Sequence, residues 1–375
     1  MKEFNISTNV FFGENSLDRL NEVQGKKVII ICDEFMASSG VTDRIKSHLS
    51  GCTVEVFSKT VPDPPIDVVS EGIRTLTACQ AEVMIAVGGG SAIDAAKAIR
   101  VIADRLGMAH VEECFAIPTT SGTGSEVTKF SVITNAKEGV KYPLIDDSLQ
   151  PMVAILDPDL VKTMPPSITA DTGLDALTHA LEAYMSSEAT DFTDALAEKA
   201  VTLLMKFLPM AFADGNDLLA REKVHNASCL AGMAFNIAGI GICHSIAHAI
   251  GAKFHVPHGR SNAMFLAEVI RFNAHLDSRE STVCARKLQR MAKLIGLPYL
   301  DVYTAASNLT RKIEGMKRSF GIPANLKDLG IDPQEVLKQR DAIIEAALAD
   351  ACTKTNPRKV TAEDIAGILK KVTPL

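Results

Sequence analysis

A chain of 375 residues with 47% hydrophobic and 22% charged side chains has the balance of a soluble globular protein with core enough for two or three domains. A net charge of −6, no tryptophan and 5% aromatic residues argue against a nucleic-acid surface, which needs a basic stripe and stacking rings. No window reaches the roughly 18 uninterrupted apolar residues of a spanning helix, and the N-terminal MKEFNISTNVFFG lacks a signal peptide's apolar stretch. A cytoplasmic protein with neither membrane nor nucleic-acid partners is expected. The 8 cysteines lie scattered without CxxC spacing and read as small buried hydrophobes.

The first 160 or so residues alternate between strand and helix patterns. Lys27 to Ile31 is a buried β-branched strand, followed by a helical pattern from Ala37 to Ser50 and a strand from Thr53 to Phe57. After the Pro62-Asp63-Pro64-Pro65 breaker come a helix over Ile66 to Cys79, a strand over Val83 to Val87 and a helix over Ser91 to Leu106. Further strands are expected at Phe115 to Ile117, Phe130 to Thr134 and Met152 to Leu156. Continuous apolar strands separated by helices predict a parallel, Rossmann-like sheet covered on both faces. Beyond Pro165-Pro166 the apolar spacing becomes helical almost to the end. The expected organisation is an α/β domain over 1–163 and an all-α, metal-binding domain over 164–375, with no internal repeat.

Two loops carry nucleotide-binding chemistry. Gly88-Gly89-Gly90-Ser91 follows a buried strand and opens a helix, whose free N–H groups and partial positive charge suit a phosphate. It is not a GxGxxG, and no glycine cluster follows the first strand, where an ordinary dinucleotide fold would have one. Thr119-Thr120-Ser121-Gly122-Thr123-Gly124-Ser125-Glu126 follows another short strand and offers hydroxyls as well as backbone. Asp33, ending the first strand, can accept from an adenosine ribose and repel a 2′-phosphate, favouring NAD over NADP; it can equally be a helix cap.

The 9 histidines concentrate around Ile240 to Gly259. Asp175 and His179 are four apart, on one face of a helix, in an otherwise apolar segment where a carboxylate needs a partner or a cation. His244 and His248 are also four apart, and His258 follows Pro257 in a loop. Residue chemistry permits a metal held by Asp175, His179 and His244 with either His248 or His258 as the fourth donor. His225 and His255 read as core histidines.

Several segments, in order, resemble the iron-containing alcohol dehydrogenases: GGGSAIDAAKAI from Gly88, AIPTTSGTGSEVT from Ala116, GLDALTHALEAY from Gly173, GMAFNIAGIGICHSIAH from Gly232, PHG from Pro257 and CTKTNPR from Cys352. The resemblance spans nearly the whole chain. It implies a dinucleotide-binding α/β domain followed by a helical metal domain. It implies Asp175, His179, His244 and His258 as metal ligands and His248 as a catalytic histidine near the nicotinamide. Cofactor contacts are implied at Asp33, Gly89, Gly90, Ser91, Asp94, Thr119, Thr120 and Lys141, and a substrate pocket at Phe130, Phe235, Ile240 and Cys352. Within the family, Gly139 to Leu144, Met152 to Val161 and Asp191 to Ala200 are similar to the branch that interconverts propanol and propionaldehyde in propanediol-degrading microcompartments. Two departures stand out: a short segment before Phe115, and Ala249-Ile250 after His248.

The implied chemistry is hydride transfer between a short-chain alcohol and NAD, with the metal as Lewis acid and His248 as proton relay. Iron comes from the resemblance alone, since three imidazoles and a carboxylate hold Zn²⁺ equally well. Lactaldehyde, 1,3-propanediol and butanol are alternative substrates. A homo-oligomer, dimer or larger, is expected, with microcompartment shell or core proteins as partners. A dehydroquinate-synthase-like lyase and a non-catalytic relative are the rival readings. The lyase needs basic residues for a phosphorylated substrate, and the implied pocket has none.

Overall fold

The structure, a computed structural model, describes residues 3–135 and 140–374. Its contacts separate two compact units, one of residues 1–164 with 215–236, the other of 165–214 with 237–375.

The first unit is built on a parallel sheet of six strands: β1 (Asn9–Phe12), β2 (Lys27–Ile31), β3 (Thr53–Phe57), β4 (Val83–Gly88), β5 (Glu113–Pro118) and β8 (Val153–Leu156). Their order is β1-β8-β5-β4-β2-β3. Alternation of side chains splits each strand between two cores. Ile29, Ile31, Met84, Ala86, Cys114 and Ala116 pack on one face, under α3 (Ile66–Cys79) and α4 (Gly90–Arg105). Val28, Ile30, Val83, Ile85, Val87, Phe115 and Ile117 pack on the other. The single helical pattern expected over 37–50 is two short helices, α1 (Glu34–Ser38) and α2 (Val41–Lys46). Gly40, at φ 85°, breaks them apart. The strand expected near 130–134 forms, but outside the main sheet: β6 (Phe130–Asn135) pairs antiparallel with β7 (Val140–Ile145).

Beyond Pro165 the described residues are helical: α5 (Pro166–Met185), α6 (Asp191–Ala213), α7 (Leu218–Ala238), α8 (Ile242–Phe254), α9 (His258–Asn273), α10 (Val283–Leu294), α11 (Val302–Ser319), α12 (Pro333–Ala349) and α13 (Ala362–Val372). Among the described residues no single helix is long and apolar enough to cross a membrane. One helix departs from the expected division. Nearly all of α7 groups with the first unit, although a boundary at 163/164 leaves it in the second. The reason is a backbone contact: a Cβ on Gly232 of α7 would lie 2.9 Å from the Gly124 Cα. Only two glycines allow that approach.

Candidate active site

In the first unit the two glycine-bearing loops end neighbouring strands β4 and β5. Thr119 N–H donates to the Gly88 carbonyl at 2.9 Å. A Cβ on Gly90 would lie 2.7 Å from Thr123 Cγ2, so the first turn of α4 accepts the second loop only because residue 90 has no side chain. Gly88, Gly89, Gly90, Ser91, Thr119 and Thr120 therefore gather around the N-terminus of a 16-residue helix, where N–H groups lack intrahelical partners. Asp33 caps α1, its Oδ1 accepting from Met36 N–H at 2.7 Å. Asp94 is committed within the chain: Oδ1 accepts from Ser125 Oγ at 2.5 Å and Oδ2 from Val132 N–H at 3.0 Å. The Lys141 side chain lies outside the described residues. Phe130 and Phe235 face each other with ring centroids 6.1 Å apart.

Sequence reasoning passed over the support beneath these loops. Lys97, buried, donates to Ser125 Oγ (2.8 Å), Thr128 Oγ1 (3.2 Å) and the Phe130 carbonyl (2.9 Å). Burial pushes its ammonium down to about 8. Glu126, also buried, is pushed up to about 7 by desolvation. His225, read as a core histidine, is one: its Nδ1 lies 2.9 Å from Ser121 Oγ and burial lowers it to about 4. His255, read likewise, is not, for it is exposed and ends a helix at φ 54°.

In the second unit α5 is buried along nearly its whole length, and Asp171, Asp175, His179 and Glu182 form one polar stripe on it. Gly241 at the N-cap of α8 and Pro257 at that of α9 start the helices that deliver His244 and His258. One donor atom from each of Asp175, His179, His244 and His258 lies within 4.8 Å of every other. Asp175 Oδ1 is 3.5 Å from His258 Nε2 and 3.9 Å from His244 Nε2, and Oδ2 is 4.0 Å from His179 Nδ1. Donors around a tetrahedral ion at Zn–N lengths stand about 3.3 Å apart, so these three Asp–His separations exceed that spacing by about 0.2–0.7 Å. Burial would raise the Asp175 carboxyl, but the imidazoles of His258, His179 and His244 outweigh it and hold it below the ordinary range. Burial holds His244 well below its ordinary value, hence neutral and able to ligate.

His244 supplies the test of fit. Its Nδ1 is 2.5 Å from Glu182 Oε2, while its Nε2 is buried, points toward Asp175 and has no hydrogen-bond partner among the described residues. An orphaned buried nitrogen costs about 1–3 kcal/mol, and a divalent cation among these four donors would satisfy it. Glu182 also accepts from Cys243 N–H at 2.7 Å, and burial raises its carboxyl. A carboxylate behind a ligating imidazole is the usual support of such sites.

Two contacts bring the first turn of α9 close to α5. Arg260 donates to both oxygens of Asp171, at 3.1 and 3.0 Å. Gly259 lies so close that a Cβ there would fall 2.2 Å from the Asp171 carbonyl oxygen. Glu182, Asp171, Arg260 and Asn262 were not singled out from sequence, although the α5 stripe continues the Asp175–His179 spacing in both directions. His248 falls outside the four-donor cluster and in a second group with Asp350 and Cys352. Its Nδ1 is 2.8 Å from Asp350 Oδ2, and this bond overcomes burial to lower the Asp350 carboxyl. Burial, with Asp350 beside it, raises the Cys352 thiol. Ile240 lies just before α8, its carbonyl accepting from Thr355 Oγ1.

Comparison with known proteins agrees with this architecture. Residues 7–158 match the model of the iron-containing alcohol dehydrogenases, and 169–373 that of the family's C-terminal region. The chain is 46% identical to the 1-propanol dehydrogenase PduQ of Citrobacter freundii, over 99% of this chain and 100% of that one. It superposes on a crystal structure of 1,3-propanediol oxidoreductase with a TM-score of 0.90 and 32% identity, covering 99% of this chain and 100% of that one. A sulfoacetaldehyde reductase from Bifidobacterium kashiwanohense, solved with NAD⁺, gives 0.88 and 27%, covering 100% and 99%. The chain belongs to the iron-containing alcohol dehydrogenase family and is an enzyme interconverting an alcohol and its aldehyde.

Proposed function

We propose that this enzyme interconverts propionaldehyde and 1-propanol with NAD(H), using Fe²⁺ held by Asp175, His179, His244 and His258. The observation that carries the reading is the four-donor cluster with its buried, orphaned His244 Nε2. When bound, the iron supplies Lewis acidity at the substrate oxygen and the nicotinamide gives or takes the hydride. Asp175 contributes the anionic donor and the three histidines neutral ones. Glu182 keeps the His244 proton on Nδ1 and so leaves Nε2 as the donor. His248 is the proton relay: Asp350 holds its Nδ1, and its 40% exposed side chain leaves Nε2 to exchange a proton with water. The loops around Gly88–Ser91 and Thr119–Thr120 bind the pyrophosphate, and Asp33 the ribose. Asp94 serves the cofactor through the loop it ties down. The family likeness assigns Phe130 and Phe235 of the first unit, and Ile240 and Cys352 of the second, to the substrate, and side chains this apolar suit a monohydric alkyl substrate better than a diol.

In this reading the 1–163 region binds NAD and the helical 164–375 region the metal, with α7 lending its length to the former. A cytoplasmic homo-oligomer, packaged with microcompartment proteins, completes the proposal on the strength of the family likeness. The test is anaerobic purification followed by metal analysis and a kinetic panel of C2–C4 aldehydes and hydroxyaldehydes with NADH and NADPH. Propionaldehyde with NADH should give the highest kcat/KM, and Asp33→Gly should improve the use of NADPH. A preference for hydroxyaldehydes overturns the substrate assignment. A preference for NADPH in the parent overturns the role of Asp33.

A further inference from the structure

We propose that Asn262 is a positioning residue that holds the metal-free site in its liganding arrangement, its amide nitrogen donating to Asp175 and to the His258 lone pair that the metal later takes. The inference rests on reading Asp175, His179, His244 and His258 as the ligands.

Asn262 lies one turn after His258 on α9 and is fully buried. Its Nδ2 is 2.8 Å from Asp175 Oδ1 and 3.1 Å from His258 Nε2. The chemistry of the partners fixes which way the amide faces. An ionised carboxylate only accepts, so the NH₂ must point at Asp175; the flipped amide would set two oxygens against each other. The same NH₂ faces His258 Nε2, and an amide nitrogen only donates. His258 Nε2 is therefore the unprotonated nitrogen, the form a metal needs. One side chain thus pins donors from α5 and α9 at a separation of 3.5 Å.

This matters most for His258, whose side chain is 42% exposed while those of Asp175, His179 and His244 are buried. Its ring is the one whose direction burial constrains least. Metal loading takes the single Nε2 lone pair, so the amide gives up that bond and keeps Asp175, whose oxygen has two lone pairs. Asn262 also carries a cost: its Oδ1 is buried without a hydrogen-bond partner among the described residues. A residue placed there for packing alone would be apolar and would incur none.

The test titrates the metal-free chain with Co²⁺ and reads both the Kd and the visible d–d bands, which report coordination geometry. The parent should bind one Co²⁺ per chain, and Asp175→Asn should abolish binding. Asn262→Leu, and Asn262→Ser, whose hydroxyl is too short to bridge, should each raise the Kd by about 10–100-fold and shift the bands at saturation. Folded variants with a Kd within about twofold of the parent and unchanged bands overturn the positioning role but leave the ligand set standing. If neither variant folds, the role is structural and the proposal is wrong. If the parent binds no Co²⁺, or Asp175→Asn binds as the parent does, the ligand set itself falls, and the proposal with it.

Discussion

Gly259→Ala tests the site through its backbone. The new methyl carbon would stand 2.2 Å from the Asp171 carbonyl oxygen and 3.1 Å from Asp175 Cβ. Ordinary contact begins at 3.4 Å, so the first turn of α9 must back away from α5 by roughly 1 Å. His258 is the neighbouring residue and moves with it. Metal–donor distances tolerate about 0.2 Å, so a shift several times larger removes one donor from a set of four. Metal affinity should fall by at least about 10–100-fold, and overpacking should cost about 1–3 kcal/mol of stability. Gly367→Ala is the control. It lies on α13, a Cβ there meets nothing within 4 Å, and alanine should stabilise the helix by about 0.5–1 kcal/mol. The assay is Co²⁺ or Zn²⁺ titration of the two metal-free variants, with thermal melts alongside. Parent-like binding by folded Gly259→Ala would refute the claim that the α5–α9 approach sets the ligand geometry.

Two further perturbations separate parts of the machinery. His258→Ala should abolish metal retention, whereas His248→Ala should keep the metal and lower kcat by about 10²–10⁴-fold; metal analysis and kinetics that give the reverse pattern exchange their roles. Glu126 makes a pH prediction. Its folded-state value of about 7 exceeds the ordinary 4.5, so between these pH values the unfolded chain loses a proton that the folded chain keeps. Its contribution to stability is complete below pH 4.5 and is lost as pH rises to about 7. The gap of about 2.5 pH units corresponds to about 3 kcal/mol. Glu126→Gln, permanently neutral, should therefore gain about that much on the parent between pH 4.5 and 8 in urea unfolding. A difference that does not change with pH refutes the buried-acid assignment.

The central strands could be read from sequence because burial on both faces leaves unbroken apolar runs there, and α3 because its buried Val69, Ile73 and Leu76 recur at helical spacing. β1 could not: it is an edge strand whose four residues are exposed or half-buried. β6 has a strand's composition, but nothing local says that it leaves the main sheet to pair with β7. Helix periodicity found Asp175 and His179 and placed His244 near them. It could not choose between His248 and His258, because the choice is tertiary. Asp350, 102 residues away in sequence, holds His248 aside, while the Gly259–Asp171 contact brings His258 in. Glu182 and Asn262 act through other residues, and such roles leave no spacing signature of their own.

The placement of α7 has a consequence for how the chain is made and cut. The first unit is not finished when residue 164 is synthesised; it waits for residues 215–236, with α5 and α6 produced in between. The excursion also falls between the two halves of the donor set, since Asp175 and His179 precede it and His244 and His258 follow. On the proposed ligand set, the four donors are all present only after the chain has visited both units twice. A fragment ending at residue 164 lacks a helix of its own core, and one beginning at residue 165 carries that helix without its partners. Neither half is a self-contained module, so dissecting this enzyme calls for point substitutions rather than truncation.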